Sequence, residues 1–353
     1  MTGVVTVAQL TGFDEIIDVR TPTEFREDHI PGAVNLPVLS DEERARVGTL
    51  YKQVSPFEAR KVGAVLISRN IADHIEQRLM DRPRDWRPLV YCWRGGKRSG
   101  AMSHILSEIG WKVARLEGGY KAYRRRVIEE LATLPARFQF HVICGPTGSG
   151  KSRLLAALAR QGAQVLDLER LAAHRGSVLG SLPDAPQPSQ KWFESQVWHA
   201  LSGFDPARPV FVEGESKKIG NLRVPEALIQ RMWASGLCIR LQLDAAQRLA
   251  LLKEEYRHFL ERPELLLSRL EALTALHGGV QIAAWRALAG AGRWDELVLD
   301  LLEKHYDPSY ARSMARNYPQ LEAGPVLHPR DISEAAYDAL AAGLVAENRM
   351  SSS

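Results

Sequence analysis

Gly145-Pro146-Thr147-Gly148-Ser149-Gly150-Lys151-Ser152 is the stretch that decides how this chain is read. Two glycines with four free positions between them, then Lys and Ser, form the phosphate-loop pattern. His141-Val-Ile-Cys144 ahead of it predicts a short buried strand, and Arg153 to Arg160 behind it predicts a helix. Strand, glycine loop and helix are the context such a pattern needs. Glycines let several backbone N–H groups turn toward one anion, and the helix N-terminus and Lys151 add positive charge. Gly145, Thr147, Gly148, Ser149, Gly150, Lys151 and Ser152 are therefore candidate phosphate-binding residues.

Working upstream, Phe13 to Arg20 predicts a strand ending in the charged residues Asp18 and Arg20, and Thr21-Pro22 predicts a helix start. His29 to Pro37 reads as a turn and a second strand, residues 41–50 and 57–80 as helices, and Leu89 to Tyr91 as a third strand. A helix over Ala101–Ile109 and a strand over Lys112–Leu116 complete the alternation. Strands alternating with helices predict a parallel sheet covered by helices.

Cys92-Trp93-Arg94-Gly95-Gly96-Lys97-Arg98-Ser99 follows the third strand directly. The end of a strand in a parallel sheet is where ligands bind. Backbone amides, the following helix N-terminus and two cations favour thiolate at Cys92, so Cys92 is the candidate nucleophile for a sulfur, selenium or phosphorus atom bonded to an anionic group. Cys144 and Cys238 lie in apolar runs and read as core. Three scattered cysteines exclude a disulfide framework and a zinc site.

Downstream of the phosphate loop, Ala163 to Leu166 and Val210 to Val212 predict strands ending in acids. Asp167, Glu169, Glu213 and Glu215 are candidates for a metal-linked or water-positioning acid, with a helix cap or turn as the competing role. A Pro-rich loop from Asp184 to Ser189, a helix over 190–201, a strand over Ile239–Leu243 and helices through 246–302 follow. Arg124, Arg125 and Arg126 in the segment leaving the first domain, and Arg312, Arg316 and Tyr318 near the end, are candidate nucleic-acid contacts, by charge and by aromatic stacking, with a solvated linker and an ordinary solvated helix as the competing roles. Core packing is the expected role of Trp93, Trp192, Phe193 and Trp198. The polar tail from Ala346 is expected to fray.

The first part resembles the rhodanese family through Asp18-Val-Arg20, Glu24-Phe25, His29 to Asn35, the Cys92 loop and Glu117-Gly-Gly119. The Cys92 loop is longer than the usual rhodanese loop and matches the length in rhodanese-fold phosphatases. A rhodanese domain (1–133) followed by a phosphate-loop domain with a helical extension (134–353) resembles the tRNA 2-selenouridine synthases. Ser55-Pro-Phe-Glu-Ala-Arg-Lys61, Gln187-Pro-Ser-Gln-Lys191 and His305-Tyr-Asp-Pro308 carry the resemblance beyond the two loops. It implies an α/β enzyme that geranylates the C2 sulfur of wobble 2-thiouridine in tRNA with geranyl diphosphate. Selenium from selenophosphate then replaces the S-geranyl group. The Cys92 thiolate would attack that selenium and hold it as a perselenide, while the phosphate loop holds the departing diphosphate, with Mg²⁺ as a candidate counter-ion and no tightly bound cofactor. The residues alone leave two alternatives: an ATP-dependent tRNA sulfurtransferase, and a nucleotide-gated rhodanese binding module. An intact cysteine loop argues against the last.

The 353 residues suffice for two cores, and 45% hydrophobic with 25% charged residues is ordinary for a globular protein. A net charge of +4 permits a polyanionic partner without requiring one. The start Met1-Thr-Gly-Val-Val lacks the basic and apolar regions of a signal peptide, and no apolar run reaches the roughly 18 residues of a membrane span. A cytoplasmic protein without membrane contact is expected.

Overall fold

The computed structural model describes residues 3–183 and 185–350. By its contacts the chain divides into one unit of residues 1–130 with 194–199 and a second of 131–193 with 200–353.

In chain order the first unit contains β1 (Gly3–Val5), β2 (Glu15–Asp18), α1 (Pro22–Glu27), β3 (Val34–Asn35), α2 (Asp41–Gln53), α3 (Pro56–His74), β4 (Pro88–Tyr91), α4 (Lys97–Ile109) and β5 (Ala114–Leu116), and α5 (Gly119–Leu131) leads out of it. The sheet order is β1-β5-β4-β2-β3, with every pairing parallel. β1 was not among the expected strands. It pairs along β5 through only three residues, too short a run for a periodic signal. The fully buried β4 lies at the centre, so Cys92 leaves the middle of the sheet at its carboxyl end. Local signals set the helices. Thr21 and Ser40 form capping boxes with Glu24 and Glu43. Ser55 accepts from the Phe57 and Glu58 N–H groups, with Pro56 at the first helical position. The Ser55-Pro56 motif is thus a helix start.

The second unit contains β6 (Phe140–Cys144), α6 (Lys151–Arg160), β7 (Gln164–Leu166), α7 (Leu168–Leu171), α8 (Gln190–Ser202), β8 (Val210–Glu213), the small hairpin β9 (Lys218–Ile219) and β10 (Leu222–Arg223), α9 (Glu226–Ser235) and β11 (Leu237–Leu241). Helices α10 (Ala245–Glu255), α11 (Arg257–Glu261), α12 (Pro263–Leu270), α13 (Thr274–Gly290), α14 (Trp294–Leu301) and α15 (Asp307–Asn317) precede β12 (Val326–Leu327) and α16 (Glu334–Met350). The main sheet runs β12-β11-β6-β8-β7, all parallel. β6 is central, and the chain winds first to one side of it and then to the other. A ligand crevice is expected at that reversal, beyond the strands' carboxyl ends. The hairpin and β12 were not expected. The tail from Ala346 was expected to fray, yet α16 continues to Met350. Tyr337, Ala341 and Leu344 bury against Leu154, Leu155 and Leu158 of α6 and so hold that helix. Asp184, in the expected Pro-rich loop, and residues 351–353 of the tail lie outside the described residues. Among the described residues no helix is long and apolar enough to cross a membrane.

Candidate functional site

Cys92 is buried, at 3% exposure, and its Sγ lies 3.2 Å from Ser99 Oγ. Ser99 Oγ donates to the Gly96 carbonyl at 3.3 Å, which ties the cysteine to the loop backbone. The helix opens earlier than composition indicates. Gly96 is its N-cap, so Lys97 and Arg98 belong to the first turn of α4, not to the loop. The loop rests on the segment after β5: the Tyr120 and Lys121 N–H groups donate to the Cys92 and Trp93 carbonyls at 2.9 and 3.0 Å. Gly119, at φ +56°, makes this approach possible, because a Cβ there would sit 2.1 Å from the Cys92 carbonyl oxygen.

Arg98 is not free to meet an anion. Its guanidinium donates to Glu24 at 2.7 Å. Burial raises the Glu24 carboxyl, but the Arg98 hydrogen bond and charge outweigh it, and the net shift is downward. Arg94 and Lys97 remain exposed. Trp93, expected in the core, is 37% exposed, because β4 ends before it and the loop turns it outward. Asp18 and Arg20 form a fully buried ion pair at 2.6 Å beneath the loop, with the Tyr120 ring 3.9 Å from the guanidinium. They are framework.

In the second unit the phosphate loop joins β6 to α6. Gly150 has φ +82°, and a Cβ there would meet Tyr337 Oη at 2.0 Å. Lys151 Nζ donates to the Gly145 carbonyl at 2.8 Å. The loop opens into a cleft of about 700 Å³ lined by Thr147 to Ser152, Asp167, Glu169, Glu215 and aromatic residues of the helical part.

The expected acids converge here. Ser152 Oγ donates to Glu169 Oε2 at 3.2 Å, and the Glu169 N–H donates to Glu213 Oε1 at 2.6 Å. Burial, then the charges of Asp167, Glu169 and Glu215, push the Glu213 carboxyl well up. Burial and Glu169 do the same to Glu215, against the pull of Lys151. Glu169 is raised by burial and hydrogen-bonds to Glu215. Asp167 takes the competing role: it accepts from the Arg170 N–H at 2.8 Å as the N-cap of α7, at the border of the cleft. Among the described residues no group of three His, Cys, Asp or Glu side chains is arranged to hold a metal ion.

The candidate tRNA contacts divide. Tyr318 is 1% exposed and packs in the core, with its hydroxyl directed at the Glu215 carbonyl 3.4 Å away, so it cannot stack on a base. Arg124 is partly buried, 3.9 Å from Asp28, and Arg126 pairs with Glu130 at 2.8 Å. Arg125, Arg312 and Arg316 face solvent. His305, Tyr306 and Tyr310 line the cleft instead of an outer surface. Sequence reasoning missed Arg248, whose guanidinium donates to the Thr147 carbonyl at 3.0 and 2.9 Å and to both Asp307 oxygens at 3.0 and 2.6 Å. The His305-Tyr-Asp-Pro308 motif was its only signal. Gln187 likewise proves structural: its Nε2 donates to the Ala172 and Ile219 carbonyls, and its Oε1 accepts from the Asn221 N–H.

Residues 138–277 match the family described as tRNA 2-selenouridine synthase AAA domain, and residues 6–126 match the rhodanese-like domain. A tRNA 2-selenouridine synthase of Alcanivorax borkumensis is 33% identical over 85% of this chain and 90% of its own length. The chain belongs to the tRNA 2-selenouridine synthase family. A Nitrosomonas europaea synthase is 39% identical over 62% of this chain, and the match spans 57% of that protein's length. A solved rhodanese-related protein from Thermoplasma volcanium aligns over 35% of this chain and 92% of its own, at 19% identity and a TM-score of 0.23. Membership in the synthase family gathers the Cys92 loop, the phosphate loop and the Arg248–Asp307 brace into one chain.

Proposed function

We propose that this protein converts wobble 2-thiouridine in tRNA to 2-selenouridine by way of an S-geranyl intermediate. The observation that carries the reading is a phosphate loop opening on a partly aromatic cleft, in a chain whose other loop centres on one hydroxyl-bonded cysteine. In the first step the C2 sulfur takes the geranyl group and diphosphate leaves. Loop amides and Lys151 receive the charge that develops on the leaving oxygens. Ser152 and Glu169, whose oxygens lie 3.2 Å apart, would hold a divalent cation carried in with the diphosphate. Such an ion supplies Lewis-acid neutralisation of the leaving group. In the second step selenium replaces the S-alkyl group, which departs as geranylthiol.

Electron counting constrains the role of Cys92. Attack of its thiolate on selenium gives a perselenide only if phosphorus leaves reduced. Attack on phosphorus gives an S-phosphoryl cysteine and selenide, and water then returns phosphate, with no change of oxidation state. A loop of rhodanese-phosphatase length suits the second course. The solvent-facing Arg125, Arg312 and Arg316 are the remaining candidates for tRNA phosphate contacts.

The test is incubation with 2-thiouridine tRNA, geranyl diphosphate and selenophosphate, read by nucleoside mass spectrometry. Cys92→Ser should accumulate the S-geranyl nucleoside, and Lys151→Ala should leave 2-thiouridine untouched. Geranylation lost in Cys92→Ser, or retained in Lys151→Ala, overturns the division of labour.

A further inference from the structure

Beside the phosphate-loop cleft lies a second, apolar pocket enclosed by α10, α11, α12 and α14. Thr147, Leu252, Tyr256 and Tyr306 border both spaces, so the pocket adjoins the place where a diphosphate would lie. Its deeper wall includes Phe259, Leu266, Leu297 and Leu301, all buried members of one hydrophobic cluster. The space is about 60 Å³ for water-sized centres. A single water needs about 10–15 Å³ by that measure, so the pocket holds a row of atoms beyond one methyl group.

Two of the polar groups at its border are already engaged. Lys253 Nζ is held by Asp295 Oδ1 at 2.6 Å. The Thr147 carbonyl is taken by Arg248. The rest of the lining is aliphatic and aromatic side chain. Most of the polar edge of a nucleotide base would be buried here without partners. A hydrocarbon loses nothing by entering, and an apolar cavity of this kind stays dry and accepts apolar guests.

We infer that this pocket takes the prenyl chain of an allylic diphosphate whose diphosphate sits on the phosphate loop. The inference rests on the proposed donor chemistry and adds the residues that select the chain. Each buried CH₂ is worth about 0.8 kcal/mol, roughly fourfold in affinity.

Calorimetry with geranyl diphosphate, dimethylallyl diphosphate, inorganic diphosphate and ATP tests it on the full chain. For the wild type, geranyl diphosphate should bind at least about tenfold tighter than inorganic diphosphate, as a few buried carbons require. Val298→Phe and Leu260→Trp, at half-buried wall positions, fill the pocket and should shrink that ratio to within about threefold. Binding of inorganic diphosphate in each variant reports that the loop is intact. An unchanged ratio in a variant that still binds inorganic diphosphate overturns the pocket while leaving the donor reading standing. A wild type that prefers ATP, or gains nothing from the geranyl chain, overturns both. Should neither variant fold, Trp294 in the pocket wall provides the readout. The part of the emission lost in Trp294→Phe should shift with geranyl diphosphate and not with inorganic diphosphate, and equal shifts overturn the pocket.

Discussion

Replacing Arg248 should uncouple the phosphate loop from the helical part. The guanidinium is 8% exposed and spans two partners, the Thr147 carbonyl inside the loop and the Asp307 carboxylate. Arg248→Leu removes both contacts, and the two losses differ in size. Asp307 is 42% exposed, so its carboxylate returns to water and the pair itself accounts for little. The Thr147 carbonyl loses a hydrogen bond to a charged donor, worth about 1.5–3 kcal/mol. The total should be about 2–4 kcal/mol, below the cost of orphaning a deeply buried charge. Arg248→Lys keeps the charge but cannot span both partners with one ammonium, and should recover less than half of the loss. Because the carbonyl belongs to the loop, diphosphate affinity should fall with stability, on the order of tenfold for a shift well under 1 Å. Urea unfolding and calorimetry on Arg248→Leu, Asp307→Asn and the double variant measure these quantities. A coupling of about 1 kcal/mol or more between the two sites is expected. Strict additivity, or an Arg248→Lys protein equal to wild type in both assays, refutes the reasoning.

Gly150→Ala should lose about 2–4 kcal/mol in urea unfolding, together with diphosphate binding, from a left-handed backbone at φ +82° and the clash with Tyr337; near-wild-type stability would count against it. Asp18→Asn leaves the 1%-exposed Arg20 without its anion and should cost about 3–5 kcal/mol, seen as a lowered thermal midpoint. Glu213 and Glu215 have folded pKa values well above the ordinary 4.5, from burial and from neighbouring carboxylates. Their contribution to stability is therefore complete below about pH 4.5 and is lost as pH rises through the folded values. The same deprotonation adds negative charge beside the cleft, so diphosphate affinity should fall over that rise, and Glu215→Gln should flatten both profiles. Parallel profiles in variant and wild type would refute this assignment.

Both loops were legible because their signals are local. Eight consecutive residues specify the turn at Gly145–Ser152, and an apolar run ending at Tyr91 places Cys92 at a strand terminus. What stayed hidden depends on orientation or on distance along the chain. Arg248 and Asp307 are separated by 59 positions, and nothing around Arg248 marks a partner in the His305–Pro308 motif. Tyr306, Tyr310, Met314 and Tyr318 were counted with the surrounding arginines as a basic, aromatic surface. Their recurrence every four residues is an apolar stripe, with Arg312 and Arg316 on the other face. Period, more than composition, held the correct reading there. Arg98 was assigned to the anion loop from its charge, although its partner, Glu24, lay in a stretch that already carried the rhodanese resemblance.

The acids around Ser152 bear on what the phosphate loop can do. Fully charged carboxylates at Glu169, Glu213 and Glu215 would repel a diphosphate that Lys151 and the loop amides attract. Burial and mutual repulsion shift these carboxyls upward, most strongly at Glu213 and Glu215, which lessens that conflict. The hydrogen bond between Glu169 and Glu215 raises Glu215 and lowers Glu169, so Glu215, on the wall of the cleft, is the donor and Glu169 accepts from it and from Ser152. A departing diphosphate gains negative charge as its carbon–oxygen bond breaks, so a donor held there strengthens its interaction in the transition state more than in the ground state. The raised carboxyls and the apolar pocket beside them are the two features on which the proposed release of diphosphate from a prenyl donor rests.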